Sequence, residues 1–305
     1  MKTFRRLSVL ALPAIIAPIL AAEQRCPGNV VDLPFRFVQR SQIIIPVTIN
    51  HSGPYDFLVD TGTQITSINP SLAAELQLKS QGEARVLAVG LPSQASFSQL
   101  ELIEVGPLAI AHHQVLVPKL DYSLGADVHI RGILGANFLG HFDVLIDNAH
   151  QMLCLDDTGA MQATMKGKRM ALVTPTPPAP GGGSPGSLLL AVHLSNSGSS
   201  PLLLKLDSAS SVPFLHDPAK HMYVGLSGSR LLQGQNLDGI LRTFALLSPQ
   251  EMRIGNIVLP RVSFATLLGA NHDGSKQEVD GLLPTGLFRS VYIGYADRIV
   301  VLVPW

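Results

Sequence analysis

The chain has 305 residues, 22 of them basic and 22 acidic, so it carries no formal net charge at neutral pH, and only 14% of it is charged. That balance lacks the basic footprint nucleic-acid binding requires, and the length suits two domains of ordinary size, each able to bury a core. Aromatics are few, at 6%, whereas Leu, Val, Ile, Gly and Pro dominate, as in many short strands joined by turns, so an all-β fold is expected.

At the N-terminus, Lys2, Arg5 and Arg6 stand ahead of an apolar run from Leu7 to Ala22. Pro13 and Pro18 interrupt the run, and it falls short of the ~20 residues that span a bilayer. Residues 1–22 therefore read as a signal peptide. A retained anchor is the less favoured alternative, and the residues around Arg5-Arg6 fit twin-arginine export poorly. The expected destination is the periplasm or the extracellular space, with no membrane attachment once the signal is removed. In an exported protein the two cysteines, Cys26 and Cys154, are compatible with one disulfide and equally with two partly buried thiols. Their spacing excludes a cysteine-based zinc site.

From Ile43 onward the chain reads as two copies of one pattern. Copy one runs Ile43 to Ile49, turns through Asn50-His51-Ser52-Gly53 and returns through Phe57-Leu58-Val59 to Asp60. Copy two runs Leu188 to Leu194, turns through Ser195-Asn196-Ser197-Gly198 and returns through Leu202 to Leu206, ending at Asp207. Each is a hairpin that delivers an aspartate at a strand end. Helix starts follow at Asn69-Pro70 and Asp217-Pro218, a capping residue with Pro at the first helical position in both. Val89-Gly90-Leu91 and Val224-Gly225-Leu226 then open turn-rich stretches that are candidates for hairpins over a cleft. Val105-Gly106-Pro107-Leu108 loosely matches Arg253 to Ile257. Each copy closes on a glycine-led apolar motif, Gly132 to Leu139 and Gly281 to Phe288, and a last strand, Phe142 to Asp147 and Val291 to Tyr295. The expected lobes are 30–158 and 188–305. Between them, 159–187 is a linker with a short strand near Met170 to Val173 and a Pro/Gly-rich loop from Thr174 to Gly186. Gly181, Gly183 and Gly186 have a dinucleotide-like spacing but lack the strand before and the helix after that nucleotide binding needs.

Asp60 and Asp207 occupy matching places in the repeat, although either alone would pass for an ordinary turn aspartate. Two carboxylates in contact cannot both ionise easily, so such a pair can share one proton and activate a water against a peptide carbonyl. Other chemistries fail on inspection. The histidines are scattered, neither His112-His113 nor His216 with His221 has the glutamate of a helical zinc site, and no serine-nucleophile elbow occurs. Neither metal nor cofactor is expected.

Phe57-Leu58-Val59-Asp60-Thr61-Gly62-Thr63 with Gly132 to Leu139, and Asp207-Ser208-Ala209 with Gly281 to Gly286, resemble the retropepsin-like and pepsin-like aspartic proteases. The style is closest to bacterial members with two retropepsin-like lobes in one chain. The resemblance implies a bilobal acid-protease fold of two pseudo-twofold-related closed β-barrels with short helices. It makes Asp60 and Asp207 the catalytic pair and assigns loop support to Thr61, Gly62, Thr63, Ser208, Ala209 and Ser210, with Gly132 and Gly281 beneath the loops. Thr61 and Ser208 would hydrogen-bond across the axis. The implied partner is a peptide or protein substrate, bound by a monomer that needs no second chain to complete its site. Lobe two departs from the pattern at Ala209 and at Pro284, which stands where lobe one has Gly135. Lys205 should point to the opposite side of its strand from Leu204 and Leu206; were it to approach the pair, it would favour charge on both carboxylates. The alternative to an endopeptidase is a silent relative that keeps the fold as a peptide-binding or structural module.

Overall fold

A computed structural model describes residues 26–28, 30–39, 41–88, 91–122, 128–173, 187–195, 197–198, 200–218, 230–235, 241–268 and 279–305. The expected signal peptide, the whole Pro/Gly-rich loop, Val89-Gly90 and the Val224 to Leu226 segment lie outside these residues.

The fold is all-β with a few short helices, and its first sheet grows from the hairpin of Gln42–Ile49 and Ser52–Val59. Asn50 and His51 at the turn both adopt positive φ, the geometry whose twist matches that of the flanking strands. Asn50 Oδ1 also accepts the Leu102 N–H at 3.0 Å, pinning the turn to the neighbouring strand. Gln42–Ile49 pairs with Leu91–Val105 through Thr48 and Ile49, which folds the eight-stranded sheet back on itself. Leu91–Val105 and Leu108–Pro118 meet at Gly106, and Gln250–Ile254 and Ile257–Val262 meet at Gly255, both glycines at positive φ. The loose match around these two segments is thus one tight turn used twice. Lobe one's other hairpin joins Gly82–Ala88 to Leu91–Val105. In the second sheet the corresponding edge hairpin is Arg230–Gln235 with Leu241–Leu246.

Two parallel pairings place the closing motifs beside the aspartates. Gly132–Leu134 runs parallel to Phe57–Val59 and antiparallel to Ser67–Ile68; Gly281–Pro284 runs parallel to Leu204–Asp207 and antiparallel to Phe214–Leu215. Glycine is required at the head of each motif by close approach: a Cβ on Gly132 would overlap the Phe57 ring and the Ser67 carbonyl, and one on Gly281 the Phe214 carbonyl oxygen.

The last strands of the two halves leave their own sheets and pair with each other. Asp143–Asp147 and Phe288–Gly294 are antiparallel neighbours at the centre of a third, six-stranded sheet, flanked by Met152–Asp156 with Val31–Pro34 on one side and Ile299–Pro304 with Met170–Ala171 on the other. The segment expected as a linker therefore begins as structure, with a helix over Ala160–Thr164 and a strand at Met170–Ala171. Strand alternation gives this sheet two apolar faces. Val144, Ile146, Leu153, Leu155, Val291, Ile293, Val300 and Leu302 join one cluster that also holds the cores around both aspartate strands. Leu145, Cys154, Tyr292 and Val301 face the other way with Cys26 and Met161. On that outer face Cys26 and Cys154 form a disulfide, with Cα atoms 5.7 Å apart, which decides against two free thiols. Among the described residues no helix is long and apolar enough to cross a membrane.

Candidate active site

Asp60 follows the strand Ser52–Val59 and Asp207 ends the strand Leu202–Asp207. Beyond each aspartate the chain turns back so that two backbone N–H groups reach its own carboxyl. Gly62 N and Thr63 N donate to Asp60 Oδ1 at 2.7 and 3.1 Å, and Ala209 N and Ser210 N donate to Asp207 Oδ1 at 2.8 and 2.9 Å. These are the local side-chain-to-backbone bonds that make aspartate a natural turn residue, here used to fix a carboxyl's direction.

Thr61 and Ser208 lock the two turns together. Thr61 Oγ1 donates to the Leu206 carbonyl at 3.0 Å and accepts the Ser208 N–H at 3.1 Å, while Ser208 Oγ donates to the Val59 carbonyl at 2.7 Å and accepts the Thr61 N–H at 3.1 Å. Both hydroxyls are buried, so leaving either unpaired would cost a full desolvation penalty. The lock brings the loops so close that a Cβ on Gly62 would lie 2.8 Å from Asp207 Cγ and 3.1 Å from Asp60 Oδ1. Both carboxyls thus lie side by side against Gly62.

Burial sets the electrostatics. It pushes Asp60 well above the ordinary carboxylate range, and the negative charge of Asp207 adds to the rise; the Gly62 and Thr63 N–H groups and the Lys205 ammonium oppose it without cancelling it. Asp207 is likewise raised by burial, against the Ala209 and Ser210 N–H groups, Lys205 and its interaction with Asp60. Desolvation wins at both, so the pair retains a proton where isolated carboxyls would be ionised. Two phenols also feel Asp60. Burial raises Tyr122 to about 12 although its hydrogen bond with Ser67 Oγ, at 2.7 Å, opposes this, and burial followed by the Asp60 charge raises Tyr295.

Lys205 alternates with buried Leu204 and Leu206 as strand geometry requires, and its side of the strand is the one that faces lobe one. Its Nζ donates to the Gly62 carbonyl at 3.2 Å. A residue that sequence reasoning missed mirrors it: Gln42 Nε2 donates to the Ala209 carbonyl at 2.8 Å, from the opposite lobe. The available signal was a buried glutamine opening an otherwise apolar strand.

Pro284 fits its place. In lobe one, Thr66 Oγ1 donates to Asn137 Oδ1 at 2.8 Å and accepts the Gly135 N–H at 3.1 Å. The registers of Ser67 with Ile133 and of Phe214 with Leu282 put Pro213 where Thr66 stands and Pro284 where Gly135 stands. The Thr66 hydroxyl and the Gly135 N–H are thus removed together. Ala209 packs against the cluster of Val38, Ile44, Leu58, Ile130 and Ile133. Among the described residues no group of three or more His, Cys, Asp or Glu is placed to hold a metal ion.

Two buried aspartates brought side by side at corresponding strand ends of a bilobal all-β chain define an aspartic-protease-like architecture. Residues 45–138 match the family model described as aspartyl protease. The aspartic proteinase from Irpex lacteus superposes with a TM-score of 0.56 at 13% identity, over 90% of this chain and 97% of that one. A retropepsin-like aspartic protease from Rickettsia conorii is 21% identical over 41% of this chain and 90% of its own, with a TM-score of 0.31. No curated protein matches the sequence.

Proposed function

We propose that the protein is an aspartic endopeptidase in which Asp60 and Asp207 activate a water between them. One observation carries this: both carboxyls are buried, lie side by side against Gly62 and are raised in pKa, yet each is held by two backbone N–H groups. A pair that binds one proton strongly and resists binding none holds a base and an acid side by side. The ionised member takes a proton from the attacking water while the protonated member donates to the peptide carbonyl oxygen, and no covalent intermediate forms. The pair titrates as a unit, so the two roles are not assigned to individual residues. Thr61 and Ser208 keep the loops from parting as charge moves between the carboxyls, and preorganisation of this kind is where catalytic stabilisation chiefly arises.

The edge hairpins, Gly82–Ala88 with Leu91–Val105 and Arg230–Gln235 with Leu241–Leu246, are the candidate flaps. Each lies at the end of its sheet, where an extended peptide could add its backbone. The substrate would be a peptide or protein segment. With both aspartates on one chain the enzyme would act as a monomer of two lobes, 30–158 and 188–305. Export is supported by the Cys26–Cys154 disulfide, which persists in oxidising compartments, together with the basic-then-apolar N-terminal sequence.

The test is cleavage of a peptide library by the mature protein from pH 3 to 8, with Asp60→Asn, Asp207→Asn and pepstatin as controls. Abolition by either substitution supports the single-chain pair. Survival of activity in Asp207→Asn removes lobe two from the chemistry, and absence of any cleavage turns the reading to a peptide-binding module.

A further inference from the structure

The two cross-lobe bonds to the aspartate loops are equivalent in position and unlike in charge. The Gly62 carbonyl belongs to the same peptide group as the Thr63 N–H, which donates to Asp60 Oδ1 at 3.1 Å. The Ala209 carbonyl shares a peptide group with the Ser210 N–H, which donates to Asp207 Oδ1 at 2.9 Å. Each carboxyl therefore receives a two-bond relay from the other lobe, one started by the Lys205 ammonium and the other by the neutral Gln42 amide. A donor on a carbonyl polarises the peptide and strengthens its N–H as a donor, and a charged one does so more.

We propose that Lys205 is a positioning residue for the pair: seated on the Gly62 carbonyl, its ammonium favours negative charge on the two carboxyls and so sets the pH window of cleavage. Resting on the endopeptidase reading above, the proposal assigns pH tuning to a residue that touches neither the reacting water nor the peptide. The phenols of Tyr122 and Tyr295, both kept neutral by burial, also feel the Asp60 charge, and Lys205 is the cation that acts on both carboxyls. Burial still outweighs it, which leaves the proton-sharing state intact. Losing the ammonium makes each ionisation harder, so both limbs of the activity profile move to higher pH.

The experiment compares wild type, Lys205→Met and Lys205→Arg by kcat/KM across pH and by ¹³Cγ NMR titration of the aspartate carboxyls, with thermal melts to verify folding. Expected for Lys205→Met is an upward displacement of both limbs, and of the carboxyl titrations, by about one pH unit. Lys205→Arg, which keeps charge and donor, should restore the wild-type profile. Should Lys205→Met fail to fold, Lys205→Gln keeps a neutral donor and makes the same comparison. Limbs and titrations that superimpose on wild type overturn the assignment, as does a displacement that arginine does not reverse. If wild type cleaves nothing, the endopeptidase reading falls, while the carboxyl titrations still decide for or against Lys205.

Discussion

At the scale of single residues, the closest constraint is the missing side chain of Gly62. A methyl there would lie 2.8 Å from Asp207 Cγ and 3.0 Å from its Oδ2, a separation neither group can accept while the Thr61–Ser208 lock holds the loops. Gly62→Ala should therefore lower kcat/KM by about a hundredfold or more, the scale on which small misplacements act, with KM for a peptide moving less than kcat. Activity within about threefold of wild type would mean that the loops part without harm to the pair. The buried carboxyls themselves predict a stability effect. Their folded pKa values are raised, so their contribution to stability is fully present below the unfolded value, near pH 4, and is lost as pH rises through the folded values. Asp60→Asn, which cannot ionise, should thus gain in melting temperature relative to wild type at pH 7 compared with pH 4, at about 1.4 kcal/mol for each tenfold difference in proton affinity between folded and unfolded chain that it removes. An equal difference at both pH values would mean that burial does not strain the pair.

Elements show which features a sequence can declare. The closing glycines were legible because backbone meets side chain or backbone at a distance that tolerates no Cβ, so the residue type records the contact. The same holds for the positive-φ turns at Gly106 and Gly255. Gly281→Ala drives a methyl into the Phe214 carbonyl oxygen, which cannot move without breaking the Phe214 pairings with Leu282 and Ala265. We expect a loss of about 3 kcal/mol or more in chemical denaturation, in the range of severe overpacking; a loss under about 1 kcal/mol would mean that the strand relocates freely. Strand partners were far less legible. Phe142 to Asp147 and Val291 to Tyr295 read as last strands of their own halves, and nothing in a period-two pattern names the partner across the molecule. Gln42 escaped as a site residue because its partner is a backbone carbonyl, which has no residue identity to pair with.

For the whole molecule, the third sheet joins the halves and separates stability from chemistry. Its inner face shares one core with the strands that carry Asp60 and Asp207, and its outer face bears the disulfide. The bond joins cysteines 128 positions apart, a long closure that on chain-entropy grounds stabilises by about 5 kcal/mol. Its two anchor points, beside Leu145, Tyr292 and Val301, lie across the sheet from the residues that pack toward the aspartate loops. The double variant Cys26→Ser with Cys154→Ser should therefore unfold at a clearly lower denaturant midpoint. Below its unfolding transition it should cleave peptide with the kcat/KM and pH limbs of the parent protein. Reduction of the wild type should reproduce both results. If activity fell while the far-UV circular dichroism and the melt were unchanged, the outer face would be coupled to the pair, and the six-stranded sheet would transmit strain to the site as well as hold the lobes together.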